Sequence, residues 1–340
     1  MAASAPVSHH SLEPSSPPPA VDPFDAMKAA LLDDVEGQTA SLLTINYADL
    51  ISEDSDRRSE ACRQLLDACQ KWGFFFLVNH GISEARMNGM IEAGMEFFRL
   101  PEDEKNQYTA DLYAMEYGRD DVVYTSNKKF YLWRDSLRLH LQPHHFHLPQ
   151  NPQILRDAVV EYSEVIREMT KILMKAVSDA MELDNLKMQE ALKMDEGFQI
   201  FILNYYPPCP HHRENIGIPP HTDLGLFSFL IDNGVAGLQI ENDGRWFNAV
   251  SSRQDNSILV NVADFLEIFS NGRCKSVKHR ASTNGERERI SVVMTGGPSL
   301  VDPVGPASEL VEKDGRAYYA PRTYSEYLVT KYLNNPMHCE

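Results

Sequence analysis

The sequence predicts an α+β chain that is mainly β in its second half: helices first, a core of two packed sheets next, a helical tail last. Two long stretches before residue 182 repeat apolar residues every three or four positions, which is the helical period. From residue 197 onward the chain breaks into short apolar runs separated by Gly, Pro and Asn. Many short strands at such spacing make a sandwich or a barrel. A last amphipathic stretch, Thr323 to Leu333, reads as a helix.

Residues 1–22 are dense in Pro, Ser and His and predict a disordered tail, in which the adjacent His9 and His10 are solvated side chains. Leu43-Thr44-Ile45 reads as a short strand. Ser59 opens a helix with the apolar face Cys62, Leu65, Leu66, Cys69 and Trp72, and Gly73 ends it. Phe74 to Val78 reads as a buried strand. A second helix runs from Ser83 to Phe98 and stops ahead of Pro101. Residues 105–150 look irregular and are rich in aromatics and histidine. A long helix follows from Gln153 to Met181, with the stripe Ala158, Tyr162, Val165, Met169, Ile172, Leu173, Ala176 and Ala180, as expected of a scaffold packed along a sheet. Strands are expected at Phe198–Tyr206, Leu226–Ile231, Leu238–Glu241, Trp246–Ala249, Ile258–Asn261, Ser276–Ala281 and Ile290–Met294. No internal repeat is visible at a period of about 20–50 residues.

Composition narrows the class. Acidic residues outnumber basic ones by 49 to 32, and the net charge of −17 argues against nucleic acid or an anionic membrane as the main partner. No apolar run reaches the roughly 18–20 residues that cross a bilayer. The first residues lack the basic and apolar regions of a secretory signal. Five cysteines (Cys62, Cys69, Cys209, Cys274, Cys339) are odd in number and free of CxxC spacing, so they read as thiols of a reducing compartment. The cytoplasm is expected, with a nuclear share left open.

The sharpest chemical signal is His221-Thr222-Asp223, followed by His279. Residues i and i+2 of a strand point to one face, so His221 and Asp223 can reach one metal from a single strand or its end. His279 lies in an expected strand and could add the third ligand from across a sheet. Two imidazoles and one carboxylate on one face leave positions open, an arrangement suited to Fe(II) oxygen chemistry in which a chelating 2-oxo acid and O2 complete the set. Arg289 and Ser291 share a strand face in the same way. A guanidinium matches a carboxylate in two hydrogen bonds and the hydroxyl adds a donor, so the pair suits the far end of a diacid. Asn204 and Tyr206 in Asn204-Tyr205-Tyr206-Pro207-Pro208-Cys209 share another face.

These residues resemble the plant 2-oxoglutarate- and Fe(II)-dependent dioxygenases of the isopenicillin N synthase-like fold. The resemblance spans about residues 40–335 and rests on WGFFFLVNHGI (72–82), NYYPPCP (204–210), PPHTDLG (219–225), GLQI (237–240), NVADFLEIFSNGRCKSVKHR (261–280) and RIS (289–291). It implies a distorted double-stranded β-helix, or jelly-roll, core with N-terminal helices, a long scaffold helix and a C-terminal helix. The implied organisation is a tail over residues 1–40, an N-terminal helical and β region over 41–195, the jelly-roll core over 196–300 and a C-terminal strand and helix over 301–340 that cover the pocket. It also implies His221, Asp223 and His279 as iron ligands. Arg289 and Ser291 become the clamp on the distal carboxylate of 2-oxoglutarate, with Tyr206 and Asn204 helping to hold that cosubstrate. Relatives commonly read N(I/V)GDQLE where this chain has Asn261-Val262-Ala263-Asp264-Phe265-Leu266-Glu267. Phe265 makes that part of the pocket wall more apolar.

The expected activity is oxidation, foremost hydroxylation, of a small apolar or aromatic plant metabolite of specialised or hormone metabolism. Fe(II), 2-oxoglutarate and O2 take part, ascorbate serves as reductant, and succinate and CO2 are released. Pocket-lining candidates are Tyr113, Tyr117, Phe130, Trp133, Phe227, Phe265, Tyr324 and Tyr327, since aromatic side chains favour an apolar or ringed ligand. The chain is expected to act as a monomer on a small molecule. Alternatives are an oxidase of the same fold that does not consume 2-oxoglutarate, a dealkylase or desaturase of the same family, a metal-binding barrel without turnover, and a zinc hydrolase using the same ligands.

Overall fold

A computed structural model of the chain describes residues 35, 38–108, 115–119, 122–125, 128–142, 145–146, 148–210, 216–251 and 254–333. Tyr113 and nearly all of the expected N-terminal tail, His9 and His10 included, lie outside them.

Strand β1 (Leu43–Asn46) runs parallel to β2 (Phe74–Val78), and helix α1 (Ser55–Lys71) connects them. The helix starts four residues ahead of the expected Ser59. Its N-cap is Asp54, whose carboxylate accepts from the backbone N–H groups of Asp56 and Arg57. Gly73 stops it at φ +64°, in the left-handed region. A Cβ there would sit 2.3 Å from the Lys275 carbonyl oxygen, so glycine is required for space as well. Helix α2 (Glu84–Phe98) is capped by Ser83. The scaffold helix α3 (Gln153–Ala180) buries Leu155, Val159, Tyr162, Ile166, Met169, Leu173 and Val177. The expected stripe is thus turned: Ala158, Val165, Ile172 and Ala180 are only partly buried. Both sets step by four and three and share Tyr162, Met169, Leu173 and Ala176, and the observed face is turned toward Val159, Ile166 and Val177.

The strands form a nine-stranded and a four-stranded sheet. Further members are β3 (Met115–Arg119), β6 (Asp135–Gln142), β7 (His145–Phe146), β8 (Gly197–Tyr206), β10 (Phe227–Asp232), β13 (Ile258–Val262) and β15 (Arg289–Ser299). The large sheet has the order β1-β2-β13-β10-β15-β8-β6-β3, with β7 on β6. The small sheet joins β9 (Ile216–His221), β11 (Leu238–Asn242), β12 (Arg245–Asn248) and β14 (His279–Ser282) in the order β12-β11-β14-β9. A separate hairpin pairs β4 (Val122–Thr125) with β5 (Lys128–Tyr131). The two larger sheets are the walls of the jelly roll.

Three elements differ from the sequence expectation. The stretch 105–150 is not irregular, since it holds β3 to β7. In β6 the leucines Leu137, Leu139 and Leu141 alternate with polar residues and are fully buried. Strand β9 forms despite Pro219 and Pro220, because it is the edge of the small sheet, where a missing N–H leaves no ladder bond unmade. The strand expected from Ser276 begins only at His279.

Alternation along the large sheet separates two environments. Ile290, Val292 and Met294 of β15 are buried in the core shared with the helices, and Ile290 lies beside Gly94 of α2. Arg289 and Ser291 face the small sheet instead. Tyr206 does the same, for its ring lies 2.6 Å from where a Cβ on Gly217 of β9 would be. Likewise a Cβ on Gly237, the residue before β11, would come 2.9 Å from Arg289 Cδ. Two glycines therefore let two large side chains cross the space between the sheets. Among the described residues, no helix is long and apolar enough to cross a membrane.

Gly217→Ala is expected to destabilise the fold by about 1–3 kcal/mol through overpacking against Tyr206. Gly89→Ala, on α2 with open space around it, should stabilise by roughly 0.5–1 kcal/mol. Chemical denaturation of the two variants beside the parent measures both.

Candidate metal centre and anion clamp

Strand pairing builds the first cluster. His221 is the last residue of β9, His279 the first of β14, and the antiparallel register sets them opposite each other with ring centroids 4.3 Å apart. Asp223 follows on the turn leaving β9. Its Oδ1 lies 3.7 Å from His221 Nε2 and 3.5 Å from His279 Nε2. The three donor atoms all lie within 4.8 Å of one another. Imidazole nitrogens and carboxylate oxygens bind a small divalent ion at about 2.0–2.2 Å, so two donors on one ion stand no more than about 4.4 Å apart. The two measured separations satisfy that limit. The donor chemistry fits a transition metal with open positions.

Surrounding groups fix each donor. The Nδ1–H of His221 donates to the Pro219 carbonyl at 2.8 Å, and that of His279 to the Val277 carbonyl at 3.1 Å. Both hydrogen bonds turn the Nε2 atom toward the cluster. Asp223 Oδ2 accepts from the Asn261 amide at 3.0 Å, and the Asp223 carbonyl accepts from the Asp264 backbone N–H at 2.9 Å. The edge of Phe74 packs against the His279 ring at 5.4 Å.

The electrostatics follow from burial and from each other. Desolvation pushes the His221 imidazole down to about 3, and the neighbouring His279 acts in the same direction. Burial alone would raise the Asp223 carboxyl, but His279, His221 and the Asn261 amide outweigh it and hold Asp223 well below the usual carboxylate range. Burial alone would lower His279, but the Asp223 charge and hydrogen bond outweigh it and raise His279 above an ordinary imidazole. Within the cluster the imidazoles are thus driven apart, His221 downward by burial and His279 upward by the Asp223 charge.

A second cluster lies on the large sheet. Arg289 and Ser291 are buried, and Arg289 Nη1 stands 3.5 Å from Ser291 Oγ. The Arg289 guanidinium lies over the Tyr206 ring at 5.2 Å, and its Nε donates to the Val235 carbonyl at 3.1 Å. Cross-strand register pairs Arg289 with Tyr206 and Ser291 with Asn204. A buried guanidinium needs a negative neighbour, and Asp232 partly supplies one at 3.8 Å, beyond hydrogen-bond reach. The Asn204 carbonyl accepts from Arg134 Nη1 at 2.9 Å, so its oxygen is engaged by the chain itself.

The aromatic candidates separate. Phe265, Tyr324 and Tyr327 come together, with Tyr327 edge-on to Phe265 at 5.4 Å and Tyr324 packed on Phe198 at 4.2 Å. Phe227 does not line the space between the sheets. It alternates with Ser228, whose hydroxyl pairs with Thr295 on the Arg289 face, and it packs on Phe75 in the core. Tyr117 also packs away from the clusters, against Phe97 of α2. Trp133 donates its indole N–H to the Pro207 carbonyl and so pins the NYYPPCP turn. Phe130 lies on β5, its side chain outside the described residues, as is Tyr113. Sequence reasoning missed Asn261, Asp232, Arg134 and Asp264 as supports. Asn261 and Asp264 fall in a quoted motif, whereas nothing local to Asp232 or Arg134 signals a partner.

Comparison with known proteins accords with this geometry. The 2OG-Fe(II) oxygenase superfamily matches residues 197–298, and the N-terminal region of the non-haem dioxygenase in morphine synthesis matches residues 44–157. Flavanone 3-dioxygenase 2 of Oryza sativa subsp. japonica is 38% identical over 287 residues, covering 83% of this chain and 82% of that one. Protein DOWNY MILDEW RESISTANCE 6 of Arabidopsis thaliana is 34% identical, covering 82% of each chain. Among solved structures, JOX2 in complex with 2OG, Fe and JA superposes with a TM-score of 0.74 at 28% identity, covering 92% of this chain and 94% of that one. The chain belongs to the plant 2-oxoglutarate- and Fe(II)-dependent dioxygenases.

Proposed function

We propose that His221, Asp223 and His279 hold the Fe(II), and that the enzyme hydroxylates a small apolar or aromatic plant metabolite of specialised or hormone metabolism. The observation that carries this reading is the facing pair His221 and His279, closed by Asp223 on a third side. Bound iron, with O2, supplies the oxidising power that no side chain of the chain offers. The chain's own groups bind and orient. In this reading Arg289 and Ser291 donate to the distal carboxylate of 2-oxoglutarate. Tyr206 keeps the guanidinium level by lying under it, and Asn204, steadied by Arg134, borders the same space. Succinate and CO2 leave, and ascorbate keeps the metal ferrous. The substrate meets the enzyme as a monomer.

Support for the substrate class comes from the names of relatives, among them the flavanone 3-dioxygenase above. A second outcome at the same site, loss of an ether-bound methyl, is favoured by the oxoglutarate-dependent flavonoid 7-O-demethylase 1 of Ocimum basilicum, 36% identical over 267 residues. Product mass separates the two: hydroxylation adds one oxygen, demethylation removes one CH2.

Two outcomes are expected. Purified protein given Fe(II), 2-oxoglutarate, ascorbate and a panel of flavonoids and plant hormones should release succinate with at least one of them. His221→Ala or Asp223→Ala should cut that release by more than about a hundredfold, since removing groups that merely support a ligand already costs about 10–100-fold. Succinate at the parent rate from either variant would mean that these side chains do not hold the iron. The raised His279 must also lose its proton to become a ligand, so metal affinity should fall as pH drops below its titration point. Calorimetric titration with Mn(II) at a series of pH values checks this, and an affinity that does not weaken on acidification would contradict it.

A further inference from the structure

We propose that Asp264, charge-paired with Lys331 from the C-terminal helix, is a positioning residue for the metal ligands, so that docking of this helix and binding of the metal are energetically linked. The inference rests on the reading that His221, Asp223 and His279 hold the metal, and it assigns work to two residues outside that set.

Asp264 opens helix α4 (Asp264–Phe269) and is 7% exposed. Its backbone N–H and both carboxylate oxygens are turned to ligand-bearing segments or to the last helix. Its backbone N–H donates to the Asp223 carbonyl at 2.9 Å. Its Oδ2 accepts from the hydroxyl of Thr222, the residue between two ligands, at 3.2 Å. Its Oδ1 accepts from the Ser276 hydroxyl at 2.6 Å, three residues ahead of His279. One carboxylate thus ties together the turn that carries Asp223 and the segment that delivers His279.

The counter-charge comes from far along the chain. Helix α5 (Tyr324–Leu333) begins with a capping box, in which the Glu326 N–H donates to Thr323 Oγ1 at 3.2 Å and the Thr323 N–H donates to Glu326 Oε2 at 2.8 Å. Two of its side chains converge on Asp264. The Tyr327 hydroxyl donates to Oδ2 at 2.8 Å and Lys331 Nζ donates to Oδ2 at 2.6 Å. Lys331 Nζ also donates to the Thr222 carbonyl at 2.6 Å and to Thr222 Oγ1 at 2.9 Å. The ammonium therefore bridges the carboxylate and the turn, and no other cation is paired with Asp264 among the described residues.

A buried carboxylate stays in place only while its charge is answered, and removing one partner of such a pair leaves the other uncompensated. Without Lys331, Asp264 would gain by rotating toward water, and it would release Thr222 and Ser276 as it went. Both ligand segments would then wander from one ion. Linkage makes the coupling reciprocal: if a docked α5 tightens metal binding, a bound metal must tighten the docking of α5.

The test uses the full chain with Mn(II) as probe. Binding is followed by calorimetry, and hydrogen exchange of residues 324–333 is measured with and without Mn(II). Lys331→Met should weaken Mn(II) binding about tenfold or more, Tyr327→Phe should weaken it less, and Lys331→Arg should stay within about threefold of the parent. Pairing Lys331→Met with Asp264→Asn removes both charges and should recover part of the loss. Mn(II) should slow exchange across α5 in the parent and not in Lys331→Met. The proposal is overturned if Lys331→Met, folded by circular dichroism, binds Mn(II) within about twofold of the parent, or if Lys331→Arg is as weak as Lys331→Met. His221→Ala separates this from the underlying reading: a variant that still binds Mn(II) like the parent sinks the ligand assignment, whereas loss there with full binding in Lys331→Met sinks the positioning role alone.

Discussion

The antiparallel pairing of β9 with β14 is the interaction on which the site depends. It places His221 opposite His279 by backbone hydrogen bonding, so the distance between the two imidazoles is set by strand spacing rather than by flexible side chains. A slip of one residue would turn one of them to the other face of the sheet. Irregularities in the ladder follow immediately, between His279 and Ala281 and between Ala281 and Ser282, so the facing of the two histidines belongs to that one pair of positions. Asp223 is less firmly built in. It stands on the turn after β9, and its direction is set by the Asn261 amide and by the Asp264 backbone.

Around this pair the two sheets are held at a separation that large side chains can bridge. Tyr206 and Arg289 reach from the large sheet toward the small one, over Gly217 and beside Gly237. Those glycines leave room for the bridging groups, and the outer face of the large sheet carries the apolar core against α2 and α3. Charge and hydroxyl groups thus collect between the sheets while Ile290, Val292 and Met294 collect behind them. One alternation along β15 yields a packed wall on one side and the buried Arg289 and Ser291 pair on the other.

Much of this was legible from spacing. The i, i+2 rule found His221 with Asp223 and Arg289 with Ser291, although Asp223 proves to lie just past its strand. The periods of α1 and α2 and most strands of the jelly roll were likewise readable. The leucine alternation of β6 was present in the sequence and was obscured by the aromatics and histidines around it. Other features could not be read locally. Phe227 looks like a pocket aromatic until its register with Ser228 and Thr295 shows which face it takes. The buried charge of Arg289 asks for an anion, but only the fold reveals that Asp232 partly answers it. Lys331 lies 109 residues from Thr222, and no motif surrounds it.

The account turns on whether His221, Asp223 and His279 form one iron site with the 2-oxoglutarate clamp beside it. Anaerobic absorption spectroscopy asks this directly. Fe(II) and 2-oxoglutarate added together should produce a weak visible charge-transfer band that neither gives alone, and His279→Ala should fail to produce it. A band of full strength in His279→Ala, or none in the parent protein, would contradict the account.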